Sequence, residues 1–239
     1  MKNNILITGA ASGIGRATYE ALNKDLYENI VLADINPIEA ENNKVIAIKC
    51  DISKEDDITS LFKELHTKDI FINMAVNAAG IPGPNKPLNM SSIEEFDRII
   101  SVNLRGTFIS MKNELEDMTK IGNGKIINIA SVLASCGMAG SSYYSASKAG
   151  IVALTKSLAI EYAQKNIQIN CISPGGVDTN LISDLKKRMG STAALEQIHP
   201  VKRIATADEI ATYIKFILEN NTSFMTGSEL FVDGGYSAQ

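Results

Sequence analysis

The stretch Ile5-Leu6-Ile7-Thr8-Gly9-Ala10-Ala11-Ser12-Gly13-Ile14-Gly15, continued by Arg16-Ala17-Thr18-Tyr19-Glu20-Ala21-Leu22, reads as strand, glycine-rich turn and helix. Glycine lets a backbone turn tightly and approach a bulky anion, while the free N–H groups and dipole at a helix start favour a pyrophosphate. The stretch therefore reads as a dinucleotide-binding turn, with Gly9, Ser12, Gly13, Ile14 and Gly15 as candidate contacts. Its spacing is wider than Gly-x-Gly-x-x-Gly, three residues separating the first two glycines and one the last two. A flexible Gly/Ser turn is the competing reading.

Nineteen residues beyond Gly15, the apolar segment Ile30-Val31-Leu32-Ala33 ends in Asp34, where a dinucleotide fold sets an acid against the adenosine ribose. A carboxylate accepts two ribose hydroxyls and repels a 2′-phosphate. Neither Ser12 nor Ile35 supplies a cation to offset that repulsion, so NAD(H) is expected over NADP(H). Arg16 is the nearest cation in sequence and leaves NADP(H) as the second choice. An ordinary strand-end turn is the alternative role for Asp34.

Working outward, short β-rich runs alternate with helical patterns, the mark of parallel βαβ units. Strands are predicted at Ile5–Thr8, Ile30–Asp34, Val45–Cys50, Ile70–Val76, Lys125–Ala130, Gln168–Ile172 and Glu229–Val232. Helices are predicted to start near Gly13, Glu55, Ser92, Asn103, Ser142 and Ala207, with Ser91-Ser92-Ile93-Glu94 and Thr206-Ala207-Asp208-Glu209 read as capping boxes. The expected fold is α/β: one domain over residues 1–239, a doubly wound, Rossmann-like parallel sheet of seven strands with helices on both faces. Gly9, Asp34, Asn77, Ser131 and Pro174 all follow or end a predicted strand, which gathers them at the edge where such folds bind cofactors.

Tyr144 and Lys148 are four residues apart in Tyr143-Tyr144-Ser145-Ala146-Ser147-Lys148, so a helix sets phenol and ammonium on one face. A free phenol titrates near pH ~10, and a neighbouring cation is expected to lower that value and make it a usable acid. Tyr143 is a close rival, but only Tyr144 sits one helical turn before Lys148.

Further motifs follow at ordered spacings: Asn77-Ala78-Ala79-Gly80, Val102-Asn103-Leu104-Arg105-Gly106, Ile127-Asn128-Ile129-Ala130-Ser131, Pro174-Gly175-Gly176-Val177-Asp178-Thr179, Thr226-Gly227 and Val232-Asp233-Gly234-Gly235. Together with the turn, Asp34 and the Tyr144/Lys148 pair, they resemble the compact single-domain branch of the short-chain dehydrogenase/reductase family over nearly the whole chain. Ala78 departs from the family's second Asn, which loosens a local hydrogen bond. The resemblance implies that Ser131 orients the substrate oxygen, Tyr144 exchanges a proton with it, Lys148 lowers the tyrosine pKa and holds the nicotinamide ribose, and Asn103 links the lysine to solvent through water. It also places Asp51, Ile52, Asn77, Ala78, Ala79, Gly80, Pro174, Gly175, Val177 and Thr179 against the cofactor, beside Tyr144 and Lys148. The implied activity is hydride transfer between NAD(H) and a secondary alcohol or ketone, with no metal. A beta-ketoacyl carrier-protein reductase and a catalytically silent nucleotide-binding regulator are the alternatives. Family members commonly form tetramers through two long helices and the last strand, so a homo-oligomer is expected.

The 239 residues, 45% of them hydrophobic, suffice for a sizeable core. A net charge of −4 argues against a nucleic-acid partner, and Lys186-Lys187-Arg188 reads as a solvated helix face. No stretch reaches the ~18 apolar residues of a membrane span and no signal-peptide pattern opens the chain, so a cytoplasmic protein is expected. Cys50, Cys136 and Cys171 are scattered, which suits reduced thiols, and His66 and His199 lack the neighbours of a metal site, so packing or surface roles are expected for both. Cys136, five residues beyond Ser131, reads either as a pocket residue or as a small buried filler. Ile81-Pro82-Gly83-Pro84-Asn85-Lys86-Pro87 reads as a loop beside the site. Over 180–200, Leu181, Ile182, Leu185 and Met189 at helix-like spacing read equally as a substrate lid or as packing, and the lack of a charged cluster there suggests a mostly apolar or neutral substrate.

Overall fold

The computed structural model describes residues 3–83, 85–179, 182 and 192–239. Its strands are β1 (Asn3–Thr8), β2 (Tyr27–Asp34), β3 (Val45–Lys49), β4 (Met74–Asn77), β5 (Gly124–Ile129), β6 (Ile167–Pro174), β7 (Val177–Asp178), β8 (Ala205–Thr206) and β9 (Glu229–Val232). Seven of them form one parallel sheet in the order β3-β2-β1-β4-β5-β6-β9, and β7 pairs with β8 in a separate two-stranded ribbon. The chain winds outward from β1 to β3 and then returns to β4 on the other side of β1. That reversal opens a crevice at the carboxyl ends of β1 and β4, the position where such sheets bind ligands.

The helices are α1 (Gly13–Ala21), α2 (Glu55–Thr67), α3 (Ile93–Ile99), α4 (Thr107–Ile121), α5 (Ser142–Tyr162), α6 (Ala193–Gln197) and α7 (Ala207–Glu219). A strand covered on both faces reads as continuous apolar sequence rather than alternation, and Ile5, Leu6 and Ile7 are all fully buried. Leu6, Val31 and Ile126 point into a core shared with Phe62 of α2 and Leu115 of α4. Ile5, Ile7 and Ile30 point the other way, onto Tyr19 of α1 and Ile214 of α7. The predicted seven-stranded, doubly wound α/β sheet is therefore present.

Three local expectations are corrected. β4 begins at Met74 rather than Ile70, because side chains replace the ladder upstream: Asp117 accepts the Ile72 N–H at 3.0 Å and Asn73 Oδ1 accepts the Asn4 N–H at 2.8 Å. No helix starts near Asn103. Instead α3 runs through a π-helical turn, Ile100–Gly106, straight into α4, and Asn103 lies inside that turn. The first capping box is Ser92 with Glu95 rather than Ser91 with Glu94, Ser92 Oγ accepting the Glu95 N–H and Glu95 accepting the Ser92 N–H. Thr206 and Glu209 form the second box as predicted. Lys186, Lys187, Arg188, Leu181, Leu185, Met189 and Pro84 lie outside the described residues.

The glycine-rich turn is pressed against its neighbours. A Cβ at Gly9 would stand 2.7 Å from the Ala79 backbone, and one at Gly15 would stand 2.2 Å from the Gly9 carbonyl oxygen. Gly122, the C-cap of α4, has φ 82° but nothing within 4 Å of an added Cβ. Gly15→Ala is expected to destabilise the protein by about 3 kcal/mol through overpacking against backbone, whereas Gly122→Ala costs about 1 kcal/mol, for the left-handed conformation alone. Urea unfolding midpoints of the two variants check this; equal losses would show that the turn yields.

Candidate active site

A cleft of about 620 Å³ opens at the carboxyl ends of the strands. Of the residues singled out in the sequence, Gly9, Ser12, Gly13, Ile14, Asp34, Asp51, Ile52, Ala78, Ala79, Gly80, Ser131, Tyr144, Lys148, Pro174, Gly175, Val177 and Thr179 line it. Gly15, Asn77 and Asn103 are not on its wall: Gly15 packs on Gly9, and the two asparagine side chains are buried behind it.

At one end of the cleft, Ser12 precedes α1 without capping it by its side chain, so the first N–H groups of that helix keep their capacity for an anion. Asp34 is fixed from two sides. Its Oδ2 accepts the Ala11 N–H at 3.1 Å, and its Oδ1 accepts the Asn36 N–H at 2.9 Å and side chain at 3.1 Å. The strand-end turn role is present, and the same carboxylate lines the cleft. Arg16 is engaged elsewhere, with Glu20 at 2.7 Å and Glu41 at 3.0 Å, and does not line the cleft. These features fit a dinucleotide: a backbone cradle that Cβ atoms would fill, an uncapped helix start, and an acid at the second strand end.

At the other end, Ser131, Tyr144 and Lys148 come together. Ser131 follows β5 in extended backbone, its Oγ accepting the Leu133 N–H at 3.2 Å. Tyr144 and Lys148 project from the first two turns of α5, the ammonium 5.9 Å from the phenol ring centre and donating to the Ile129 carbonyl at 2.8 Å. The electrostatics correct the sequence reading. Burial pushes the Tyr144 phenol above its ordinary value, opposed by a hydrogen bond with Ser131, and Lys148 is not among the causes. Burial also pushes the Lys148 ammonium down, to about 8. Desolvation acts on both groups here and outweighs the attraction that their spacing suggested.

Asn103 shapes the site from behind. Its Oδ1 accepts the Ile81 N–H at 2.8 Å, and its Nδ2 donates to the Ile81 carbonyl at 3.0 Å and to Ser147 Oγ at 3.3 Å. Its Oδ1 and Lys148 Nζ both flank Gly80, at 3.2 and 3.5 Å from where a Cβ would stand. Tyr143 turns away and packs on Phe96. Cys136 does not line the cleft; the turn Val132–Ala134 presents Val132 and Leu133 instead.

His199, read in the sequence as a packing or surface residue, is buried on the cleft wall. Its Nε2 accepts the Gly176 N–H at 2.9 Å and its Nδ1 donates to the Leu195 carbonyl at 2.7 Å, which ties the Pro174–Val177 segment to α6. A contact across 23 residues leaves no local sequence signal. Arg98 also lines the cleft and was not foreseen. His66 has the packing role expected, bonded to Asp117 at 2.8 Å and stacked on Phe71. Among the described residues no group of side chains could hold a metal ion, and no helix is long and apolar enough to cross a membrane. Within 180–200, where a lid and packing are equal readings, residues 182 and 192–200 are described, and Ile182, Leu195, Ile198 and His199 line the cleft.

A family profile described as Enoyl-(Acyl carrier protein) reductase matches residues 9–237. The chain is 34% identical to cis-4-hydroxycyclohexanecarboxylate dehydrogenase of Sinomonas cyclohexanicum, over 98% of this chain and 96% of that protein. It is 35% identical to cyclohexanol dehydrogenase of Acinetobacter sp. (strain SE19), over 98% and 94%. The solved structure of ElxO with NADP bound superposes with a TM-score of 0.92 at 28% identity, covering 100% of both chains. A chain with this sheet order, this cleft and these full-length similarities belongs to the short-chain dehydrogenase/reductase family.

Proposed function

We propose that the protein is an oxidoreductase that moves a hydride between NAD(H) and a secondary alcohol or its ketone, most readily one on a saturated six-membered ring. The observation that carries this reading is the convergence of Ser131, Tyr144 and Lys148 at one end of the cleft that holds the glycine turn and Asp34 at the other. The names of two relatives supply the ring. The apolar side chains of Leu133, Met138, Leu195 and Ile198 along the wall suit such a substrate.

When bound, the nicotinamide would give the two electrons as a hydride in ketone reduction and take them in alcohol oxidation. The chain supplies orientation and proton transfer. Ser131 holds the substrate oxygen while Tyr144 exchanges the proton with it. In ketone reduction the phenol, kept protonated by burial, gives its proton to the developing alkoxide. In alcohol oxidation the phenolate takes the hydroxyl proton, and the hydrogen bond with Ser131 favours that form. Lys148, held on the Ile129 carbonyl, would also hold the nicotinamide ribose. Asn103 fixes the Ile81 turn beside Gly80, a position from which it would help connect Lys148 to solvent. Among the described residues Arg98 and Lys148 are the only cations on the cleft wall, and Arg16 is engaged by two carboxylates. That arrangement supports NAD(H) at Asp34, with NADP(H) as the second cofactor because a similar structure holds it.

The assembly proposed is a homotetramer. α4 and α5 frame an apolar groove lined by Leu104, Phe108 and Leu154, and Phe108 is 49% exposed. The sheet edge at β9 carries Phe231, with Phe216 of α7 also exposed. Faces this apolar suit contact between copies better than contact with water.

Tyr144→Phe is expected to lower turnover about 10³-fold, the scale of a lost general acid, with NADH affinity nearly unchanged in a fluorescence titration; full activity would remove the proton role. A screen of cyclic and acyclic alcohols, ketones and an enoyl thioester, followed by NADH absorbance, tests the substrate class, and turnover of the thioester alone would overturn it. The double variant Asp34→Ala with Ile35→Arg should move the ratio of kcat/KM toward NADPH, and an unmoved ratio would sink the selectivity argument. Sedimentation equilibrium should give about four times the 25.8 kDa chain mass, and a mass near a single chain would refute the assembly.

A further inference from the structure

Behind the cleft lies a buried polar layer that the proposed reaction does not use. Glu114 of α4 is fully buried. Its Oε2 accepts Asn77 Nδ2 at 3.1 Å, and the same Nδ2 donates to Asn128 Oδ1 at 3.0 Å. Asn128 Nδ2 donates onward to Thr155 Oγ1 of α5 at 2.9 Å and to Met111 Sδ at 3.3 Å. Both hydrogens of each amide are therefore committed. Two acceptors remain buried without a partner, Asn77 Oδ1 and Glu114 Oε1.

Those two atoms are the free halves of an acid and an amide already joined by one hydrogen bond. A carboxylate would leave both without a donor in a low-dielectric interior, a loss expected for each. A carboxylic acid has the one proton that satisfies both. We propose that Glu114 is protonated in the native protein and donates through Oε1 to Asn77 Oδ1, closing a two-bond acid–amide ring that makes Glu114 a positioning residue for the dinucleotide-facing turn Ala78–Gly80.

The surroundings agree. Glu114 meets Asn77 from β4, and Asp117 follows three residues on along its own helix. Asp117 is in turn bonded to His66 of α2 and to the Ile72 N–H. Among the described residues no cation pairs with Glu114, and Ser110 Oγ is itself buried without a partner. Burial pushes the Glu114 carboxyl up to about 8, Asp117 adding in the same direction and Asn77 opposing. Asn77 ends β4, and the next residues carry the backbone that meets Gly9. Thr155 stands two helical turns beyond Lys148 on α5. The ring thus ties α4 to both strand ends that carry the site.

The test compares wild type, Glu114→Gln and Glu114→Ala. A folded acid with a raised pKa contributes stability that is fully present below the unfolded value near 4.5 and is lost as pH rises toward about 8. Gln rebuilds the same ring with an N–H donor and no titration. The folding constant of Glu114→Gln relative to wild type should therefore rise about tenfold per pH unit across that window and level off above it. Glu114→Ala loses the ring and should be less stable than Glu114→Gln at every pH. An infrared difference spectrum, wild type minus Glu114→Gln, should show a protonated-carboxyl C=O stretch at neutral pH. Parallel stability curves for wild type and Glu114→Gln, or no such band, would overturn the proposal. The positioning role rests on the proposed dinucleotide site: Glu114→Ala should raise the KM for NADH about tenfold with little change in kcat, and Glu114→Gln should restore it. An unchanged KM in Glu114→Ala would overturn that role. A wild type that fails to bind NADH would overturn the proposed function and leave protonation to be decided by the stability and infrared readouts.

Discussion

At the carboxyl end of β1 two stretches of backbone meet with no room for a side chain between them, and the site is built on that contact. Gly9 lies against Ala78 and Ala79, and Gly15 lies against Gly9 itself. Because β1 sits between β2 and β4, this contact fixes the start of α1 relative to both neighbouring strand ends. Asp34 completes the arrangement, its carboxylate holding the Ala11 N–H from the end of β2. A group proposed to select the adenosine ribose is therefore also a staple of the turn proposed to receive the pyrophosphate, so the two proposed recognition elements are mechanically one.

The proposed proton-transfer end follows a parallel logic on β5. The last residue of that strand, Ile129, accepts the Lys148 ammonium, and Ser131 follows two residues later. Lysine and serine are thus indexed to the same strand end, while Tyr144 and Lys148 are indexed to the same helix. A shift of α5 along the sheet would move phenol and ammonium together but would change their distance from Ser131. Burial drives phenol and ammonium alike toward their neutral forms.

The features that lie close together in the chain were legible from it. The glycine turn, Asp34 at the end of its strand, and Tyr144 one turn before Lys148 each need only a local period or a short spacing to be read. What escaped was either degenerate locally or distant. Ser91-Ser92 faces Glu94-Glu95, and two capping registers are equally available until packing chooses Ser92. The spacing of Tyr144 and Lys148 reveals proximity but not solvent exposure, which is why the sign of the phenol's shift was misread. The clamps of His199 on Gly176 and Asn103 on Ile81 bridge 23 and 22 residues, and nothing in the intervening sequence announces them.

The long helix shows most clearly why pattern alone misleads. Asn103, Thr107, Ser110, Glu114 and Asp117 recur at steps of four, three, four and three and are all buried, so a polar stripe of the kind that normally meets water faces inward. The arrangement holds because its targets are polar too. Asn103 meets the Ile81 backbone, Thr107 donates to the Asn103 carbonyl, Glu114 takes Asn77, and Asp117 takes the Ile72 N–H and His66. A π-helical turn carries one residue more than an α-helical turn, which rotates everything that follows. Placed at Ile100–Gly106, it lets α3 keep its own contacts while the stripe beyond it comes to face the strand ends. The irregular turn and the inward polar face are therefore two aspects of one solution: beside the apolar contacts that Met111, Leu115 and Met118 keep with the sheet, the helix presents polar side chains that hold the loops beside the cleft.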